Sequence, residues 1–288
     1  MIIGIVGYGF VGQATEVLRN DDVDLMVYDT EPEKCNPLNT TLCDVVKRAD
    51  VIFVSVPTPM NKDGSCNVSV LDSVINEISL LCDLNEKIVV IRSTVPCGTS
   101  TRLNCYFMPE FLTEKNFLTD FKLNKHWIFG MKDGSTHHVQ NDMFMKCMTY
   151  VFDRAHNYDK ISYNHLVFIG NDEAEMVKLF RNTFLSVKVS FCNEMYQFCQ
   201  QKNINYEVVR ACGVLDDRIT ESHTCVPGHD GHFGYGGTCF PKDMNNLNTQ
   251  MRECGMKSFI INSAIERNET VDRPEKDWFK LRNRAVSD

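Results

Sequence analysis

The sequence predicts an α/β fold: a Rossmann-type, doubly wound parallel sheet followed by a long helix and a smaller all-α domain. Three observations carry that expectation. Short β-branched runs alternate with helical patterns through the first half. A glycine motif, Gly7-Tyr8-Gly9-Phe10-Val11-Gly12, stands between a strand and a helix. The texture changes after Gly170, with an uninterrupted helical stretch from Glu173, so two domains are expected, residues 1–170 and 171–288.

Strands are expected at 2–6, 25–28, 51–56, 87–92, 105–107, 127–130 and 166–169, where β-branched and aromatic residues cluster. Between them, 11–19 follows the glycine turn, 71–81 carries apolar residues at helical spacing, and 138–151 is a Met-rich amphipathic stretch. Residues 173–201 contain neither Pro nor Gly, and Met176, Leu179, Phe180, Val187 and Phe191 are read as one broad apolar face. A stripe that long needs partners on more than one side, which places the helix between the domains or at a subunit interface. A short helix at 206–212, a Gly/His-rich loop at 221–237 and helices from about Pro241 follow, and the charged last dozen residues are expected to fray.

Composition removes several function classes. Thirty Lys and Arg against 38 Asp and Glu leave a net charge of −8, which excludes nucleic acid as a partner bound by bulk positive charge. No apolar run approaches the ~18–20 residues of a membrane helix, and the first strand leaves no room for a secretory leader. A cytoplasmic protein with no membrane partner is expected. The 13 cysteines form no CxxC pair and no Cys/His cluster at zinc spacing, so no metal is expected and most read as reduced thiols.

In the glycine motif, Gly7 permits the tight turn, Gly9 lets a pyrophosphate approach the backbone, and Gly12 allows close helix–sheet packing; Phe10 leads into the helix from Val11, whose N-terminus faces the anion. Asp29 ends the second strand 22 residues after Gly7, where a carboxylate binds a ribose 2′-hydroxyl and repels a 2′-phosphate. The expected cofactor is therefore NAD. Val56-Pro57-Thr58-Pro59 and Ser93-Thr94-Val95-Pro96 end strands at the same carboxyl edge and would abut it, although either taken singly reads as plain turn chemistry.

Phe233-Gly234-Tyr235-Gly236-Gly237-Thr238-Cys239-Phe240-Pro241-Lys242-Asp243 puts a cysteine at a helix start. Helix amides and Lys242 would favour its thiolate, and Asp243, one turn on, could orient a water or take a proton. Lys178 and Asn182, four apart on the long helix, set a cation beside an amide donor as an oxyanion needs, though alone they read as a solvated face. Glu110 and Glu114 follow the fifth strand at its carboxyl end, where open α/β sheets bind ligands; as isolated acids they would be surface residues.

The combination resembles the UDP-glucose 6-dehydrogenases of the wider UDP-glucose/GDP-mannose dehydrogenase family. The resemblance runs through GIVGYGFVG at 4–12, VPTP at 56–59, STVPCGT at 93–99, PEFLTE at 109–114, EAEMVKLFRNTFL at 173–185, DDRI at 216–219 and, most specifically, GYGGTCFPKD at 234–243. It implies oxidation of a nucleotide sugar's primary alcohol to a carboxylate with two NAD. Cys239 would trap the aldehyde as a thiohemiacetal that is oxidised to a thioester, and Lys178 and Asn182 would hold the oxyanion. Asp243, with Thr94 and a water, would handle protons; Glu110 and Glu114 would lie near the sugar carbon, with Glu114 as hydrolytic base.

The same resemblance assigns Val56, Pro57, Thr58, Ser93 and Thr94 to the cofactor. It assigns Glu110, Phe111, Leu112, Lys178, Asn182 and the turn Phe233, Gly234, Tyr235, Gly236 and Gly237 to the substrate. Arg218 would reach the substrate of a neighbouring subunit, which implies a homodimer. UDP-glucose is the first expected substrate; GDP-mannose, UDP-N-acetylmannosamine and a truncated non-catalytic NAD-binding partner are the alternatives. Met108 stands where the family carries Asn or Ser, and Thr220 where it carries Gly. A third, nucleotide-contacting domain is not expected here, and the long loop 226–232 is expected to close over the nucleotide in its place.

Overall fold

The computed structural model describes residues 1–132, 138–282 and 284–287. It divides into two compact units, Met1–Thr58 with Val68–Lys178, and Pro59–Asn67 with Leu179–Asp288. The division falls inside the long helix rather than at its start. The short segment Pro59–Asn67, which no local pattern sets apart, belongs to the second unit.

The first unit is built on seven strands, β1 (Ile2–Val6), β2 (Asp24–Tyr28), β3 (Val51–Val54), β4 (Ile88–Ile91), β5 (Tyr106–Phe107), β6 (His126–Met131) and β7 (His165–Gly170). They are ordered β2-β1-β3-β4-β5-β6-β7. Its helices are α1 (Phe10–Glu16), α2 (Leu42–Arg48), α3 (Ser69–Leu81), α4 (Thr99–Arg102), α5 (Phe117–Lys122) and α6 (His138–Asn157). Side chains alternate across each strand. Ile3, Ile5, Leu25, Val27 and Phe53 meet Ala14 of α1 and Phe144, Met148 and Phe152 of α6. Met26, Ile52, Val54 and Val89 meet Val45 and Val46 of α2 and Leu71, Ile75 and Ile78 of α3. Both faces are covered, which is why the strands read as continuous apolar runs.

One step departs from the all-parallel expectation: β5 pairs with β6 antiparallel, and β7 is parallel to β6. Helix α5 does not cross back over the sheet. It stays by the start of α1, with Phe117 on Phe10 at 5.7 Å between ring centroids, so the next strand leaves from the same edge and runs the other way. Helices α2, α4 and α5 are too short for a periodic signal. Only α2 carries a local mark, the reciprocal capping box of Thr41 and Asp44.

Helix α7 (Asn171–Gln201) opens with Asn171, whose side-chain amide donates to the Cys105 carbonyl at 2.9 Å. The expected apolar face on α7 splits: Leu179 is buried, while Phe180 and Phe191 are 62% and 61% exposed. Neighbouring residues on a helix lie ~100° apart, which sets Leu179 inward and Phe180 toward the surface. Beyond α7 the second unit adds α8 (Tyr206–Gly213), α9 (Phe240–Glu253) and α10 (Phe259–Arg267), which continues into a π-helical turn, Asn268–Asp272.

The chain end does not fray as expected. Trp278 is buried with Met60, Ala285 and Val286. The Met60 N–H donates to the Ala285 carbonyl at 2.9 Å, and the Ser287 N–H donates to the Met60 carbonyl at 2.8 Å. Surrounding charges mask these few apolar residues, and their partner lies at the other end of the sequence. Asn283 and Asp288 of that stretch lie outside the described residues. Among the described residues no helix is long and apolar enough to cross a membrane.

Candidate active site

The carboxyl edge of the first unit holds the glycine turn. Gly7 has φ +89°, donates its N–H to the Tyr28 carbonyl at 2.9 Å, and a Cβ there would meet the Ser55 carbonyl oxygen at 2.6 Å. A Cβ on Gly12 would meet the Gly7 carbonyl oxygen at 2.2 Å. Gly9, the N-cap of α1 ahead of Phe10 and Val11, differs: it has φ −70° and nothing within 4 Å of where its Cβ would be. The protein itself gives no reason for glycine at this position, whereas a pyrophosphate laid on the backbone does, so these residues fit a dinucleotide.

Asp29 accepts the Tyr8 N–H at 2.6 Å and the Glu31 N–H at 3.0 Å, tying the turn to the end of β2. The two proline-bearing edges are tied to each other. Ser93 donates its hydroxyl to the Val56 carbonyl at 2.6 Å, and Thr58 donates to the Thr94 carbonyl at 2.7 Å, while Pro57 is exposed between them.

Beneath this edge Arg92 is buried, donating to the Thr15 hydroxyl at 2.5 Å. Burial lowers its pKa to about 10 against the opposing pull of the Glu110 carboxylate. Glu110 is buried as well. Its Oε1 accepts from Lys178 Nζ at 2.5 Å, its main-chain carbonyl accepts from the same Nζ at 2.7 Å, and its Oε2 accepts the Leu112 N–H at 2.9 Å. Glu110 is therefore no isolated surface acid: it is the counter-ion that fixes the Lys178 ammonium, which also lies 5.8 Å from the centre of the Phe111 ring. Glu114 is exposed.

In the second unit Cys239 is the N-cap of α9, with Pro241 in the first turn. Asp243, one turn on, is fully buried; its Oδ2 accepts from the Asn182 amide at 2.6 Å and its Oδ1 from Lys242 Nζ at 2.6 Å. Burial disfavours the Lys242 ammonium, but the Asp243 carboxylate, joined by Cys239 and Cys66 in their thiolate forms, outweighs it and raises its pKa, so a cation stands beside the cysteine. Cys66 comes from the segment Pro59–Asn67, a neighbour that sequence spacing could not reveal.

The turn ahead of Cys239 is packed rather than open. Gly234, with φ +65°, would drive a Cβ to 2.3 Å from Asn268 Oδ1, and Gly236 would drive one to 2.4 Å from the Arg273 guanidinium carbon. Tyr235 is buried, Phe233 packs its ring on Tyr196 at 5.6 Å, and Gly237 is exposed with φ +74°. Arg218 is exposed and closes on Asp216 at 2.6 Å. Sequence reasoning missed Arg92, Asn193, Asn268 and Arg273, none of which sits in a recognisable motif. Among the described residues no group of three or more His, Cys, Asp or Glu could hold a metal.

Residues 40–148 match the NAD binding domain of the UDP-glucose/GDP-mannose dehydrogenase family, and residues 172–270 match its central domain. The chain is 29% identical to UDP-glucose 6-dehydrogenase of Campylobacter jejuni, across 93% of this chain and 72% of that protein. It is 30% identical to the putative UDP-glucose 6-dehydrogenase YtcA of Bacillus subtilis, across 94% of this chain and 68% of that one. The structure of a UDP-glucose dehydrogenase from the archaeon Pyrobaculum islandicum shares the fold with a TM-score of 0.76 at 22% identity, covering 93% of this chain and 68% of that one. With both domain matches in chain order and a relative at this identity over most of its length, the chain belongs to the UDP-glucose/GDP-mannose dehydrogenase family, NAD-binding oxidoreductases of nucleotide sugars.

Proposed function

We propose that this protein oxidises the C6 alcohol of UDP-glucose to the carboxylate of UDP-glucuronate. The observation that carries this reading is the thiol of Cys239 at the start of α9, one turn from a buried carboxylate held by Asn182 and Lys242. NAD, when bound, supplies the hydride acceptor for each of two oxidations. Gly7, Gly9, Gly12 and the N-terminal amides of α1 hold its pyrophosphate, Asp29 its ribose, and the Val56–Thr58 and Ser93–Thr94 edges its nicotinamide end.

Cys239 attacks the aldehyde carbon and holds it as a thiohemiacetal, then as a thioester. Lys178 and Asn182 donate hydrogen bonds to the oxyanion. Asp243 and Thr94 hold and move protons through a water, and Glu114 draws the proton from the water that releases the acid. Phe111, Leu112, Tyr235 and the surrounding glycines shape the sugar's seat. A homodimer in which Arg218 serves the partner's substrate is part of the reading, supported by the exposed rings of Phe180, Phe184, Phe191 and Phe198 along α7. So is a cytoplasmic setting, where the Cys239 thiol that the chemistry needs stays reduced.

The test is stoichiometric. Purified protein with excess NAD and limiting UDP-glucose is followed at the NADH absorbance to completion; two NADH per sugar and UDP-glucuronate as product are expected. One NADH per sugar would defeat the trapped double oxidation, and none with UDP-glucose but two with GDP-mannose would move the substrate within the family. Cys239→Ala should lower acid formation by roughly three orders of magnitude or more while leaving NAD binding intact.

A further inference from the structure

We propose that Asn268 and Arg273, at the two ends of the π-helical turn, are positioning residues for the nucleophile: they hold the glycine turn in the conformation that presents Cys239 at the start of α9. The inference rests on the reading of Cys239 as nucleophile and adds residues which that reading does not contain.

Asn268 is fully buried, and its side-chain amide makes both hydrogen bonds open to the Tyr235 main chain. Its Oδ1 accepts the Tyr235 N–H at 2.8 Å, and its Nδ2 donates to the Tyr235 carbonyl at 3.0 Å. The preceding Gly234 N–H is taken by Asn193 Oδ1 at 3.1 Å, so three consecutive peptide groups are gripped by side chains rather than by any sheet or helix. One residue further on, a Cβ on Gly236 would fall 2.4 Å from the Arg273 guanidinium carbon, so a side chain there would force that guanidinium to move. It is itself fixed on both sides, with Nη1 donating to Asp230 at 2.6 Å and Nε and Nη2 each donating to Asp277 at 2.7 Å. Asp230 lies in the loop expected to close over the nucleotide, so at least this residue of the loop braces the cradle.

Two features indicate a purpose beyond holding a loop in place. π-Helical turns are rare and cluster at functional sites. The grip also ends where precision matters: Tyr235 and Gly236 are held, and Gly237, exposed with φ +74°, then turns the chain through the buried Thr238 into Cys239. A shift of the peptide at 235 or 236 displaces the sulfur with little change in the core. Misplacing a reacting group by about 1 Å costs on the order of a hundredfold in rate.

The test reads Cys239 directly, without turnover. Full-length protein is alkylated with iodoacetamide across a pH series, and the Cys239 peptide is followed by mass spectrometry with the exposed Cys212 and Cys254 as internal references. Asn268→Asp keeps an acceptor for the Tyr235 N–H but sets a carboxylate against its carbonyl; Arg273→Lys keeps the charge and loses the planar fork. Each should slow Cys239 alkylation roughly tenfold or displace its pH profile, with the references unchanged. Each should also lower kcat with the KM for NAD unmoved. Cys239 alkylation that stays in step with the references would overturn the proposal, whatever happens to the melting temperature, and should Asn268→Asp fail to fold, Arg273→Lys decides. A wild-type protein that oxidises no nucleotide sugar would instead defeat the proposed function, and the alkylation result would still stand or fall by itself.

Discussion

The glycine turns at Gly7–Gly12 and Gly234–Gly237 are built on different principles. In the first, Gly7–Gly12, the space that forbids a side chain is filled by main chain: the Ser55 carbonyl at Gly7 and the Gly7 carbonyl at Gly12. In the second, Gly234–Gly237, it is filled by side chains, Asn268 and Arg273, that belong to a later turn of the fold. A turn closed on its own backbone and on an adjacent strand can be specified by a short motif. A turn closed by distant side chains cannot, because the motif records only half of the contact.

The largest expected effects lie where backbone meets backbone. Gly12→Ala should destabilise the protein by about 3 kcal/mol or more, since a carbonyl 2.2 Å from the new Cβ belongs to a turn that is hydrogen-bonded to β2 and cannot withdraw. Denaturant midpoints measure this. A loss below about 1 kcal/mol would show that the first turn yields as easily as a side chain and would dissolve the contrast with the second.

The first unit also contains one clamp of the second kind. Glu175, fully buried on α7, accepts the Gly98 N–H at 2.6 Å and the Ser100 N–H at 2.8 Å at the start of α4. Burial raises its pKa to about 7, against the lowering effect of those same hydrogen bonds. A raised folded-state pKa means the folded protein keeps a proton that the unfolded chain has released. The stabilisation is therefore complete below about pH 4.5 and lost as the pH climbs through about 7. Wild-type stability should fall by up to about 3 kcal/mol across that window through this group. Glu175→Gln should remove that fall, so its stability relative to wild type should improve between pH 5 and pH 8. A difference that is flat with pH would mean that the carboxylate is ionised throughout, a fixed anion rather than a titrating clamp.

A smaller effect separates glycines within the first turn. Gly9→Ala meets nothing in the protein and should leave stability within about 0.5 kcal/mol, yet weaken NAD binding by roughly ten- to a hundredfold, because the new methyl occupies the cofactor's approach. Calorimetric titration against the melting curve gives both numbers. Equal NAD affinity would mean that the pyrophosphate lies elsewhere along α1.

What the sequence made legible follows the same division. The seven strands, α1, α3, the start of α6, α7 and the cysteine at the head of α9 are set by periodicity and by residues within a few positions of one another. The antiparallel turn into β6, the union of Pro59–Asn67 with the second unit, and the burial of Trp278 against Met60 depend on partners far away in the chain. At the candidate site the same holds. Asp243 was visible one turn beyond Cys239, whereas the pairing of Lys178 with Glu110, the approach of Cys66 to Lys242 and the Asn268 grip on Tyr235 were not.

Asp29 stands on the line between the two kinds of contact and gives the finest test of it. Its motif role is to meet a ribose, but in the protein both oxygens already serve the backbone, one at Tyr8 and one at Glu31. Asparagine retains one carbonyl oxygen and replaces the other with an amide that cannot accept. One of the two N–H groups then loses its partner, which costs about 1 kcal/mol. If the carboxylate also discriminates against a 2′-phosphate by charge, Asp29→Asn should narrow the ratio of NADP to NAD KM by several-fold to about tenfold, with NAD itself somewhat weakened. A lower melting temperature with an unchanged cofactor ratio would assign Asp29 to the turn alone, and selectivity for NAD would then have to come from the shape of the pocket rather than from this charge.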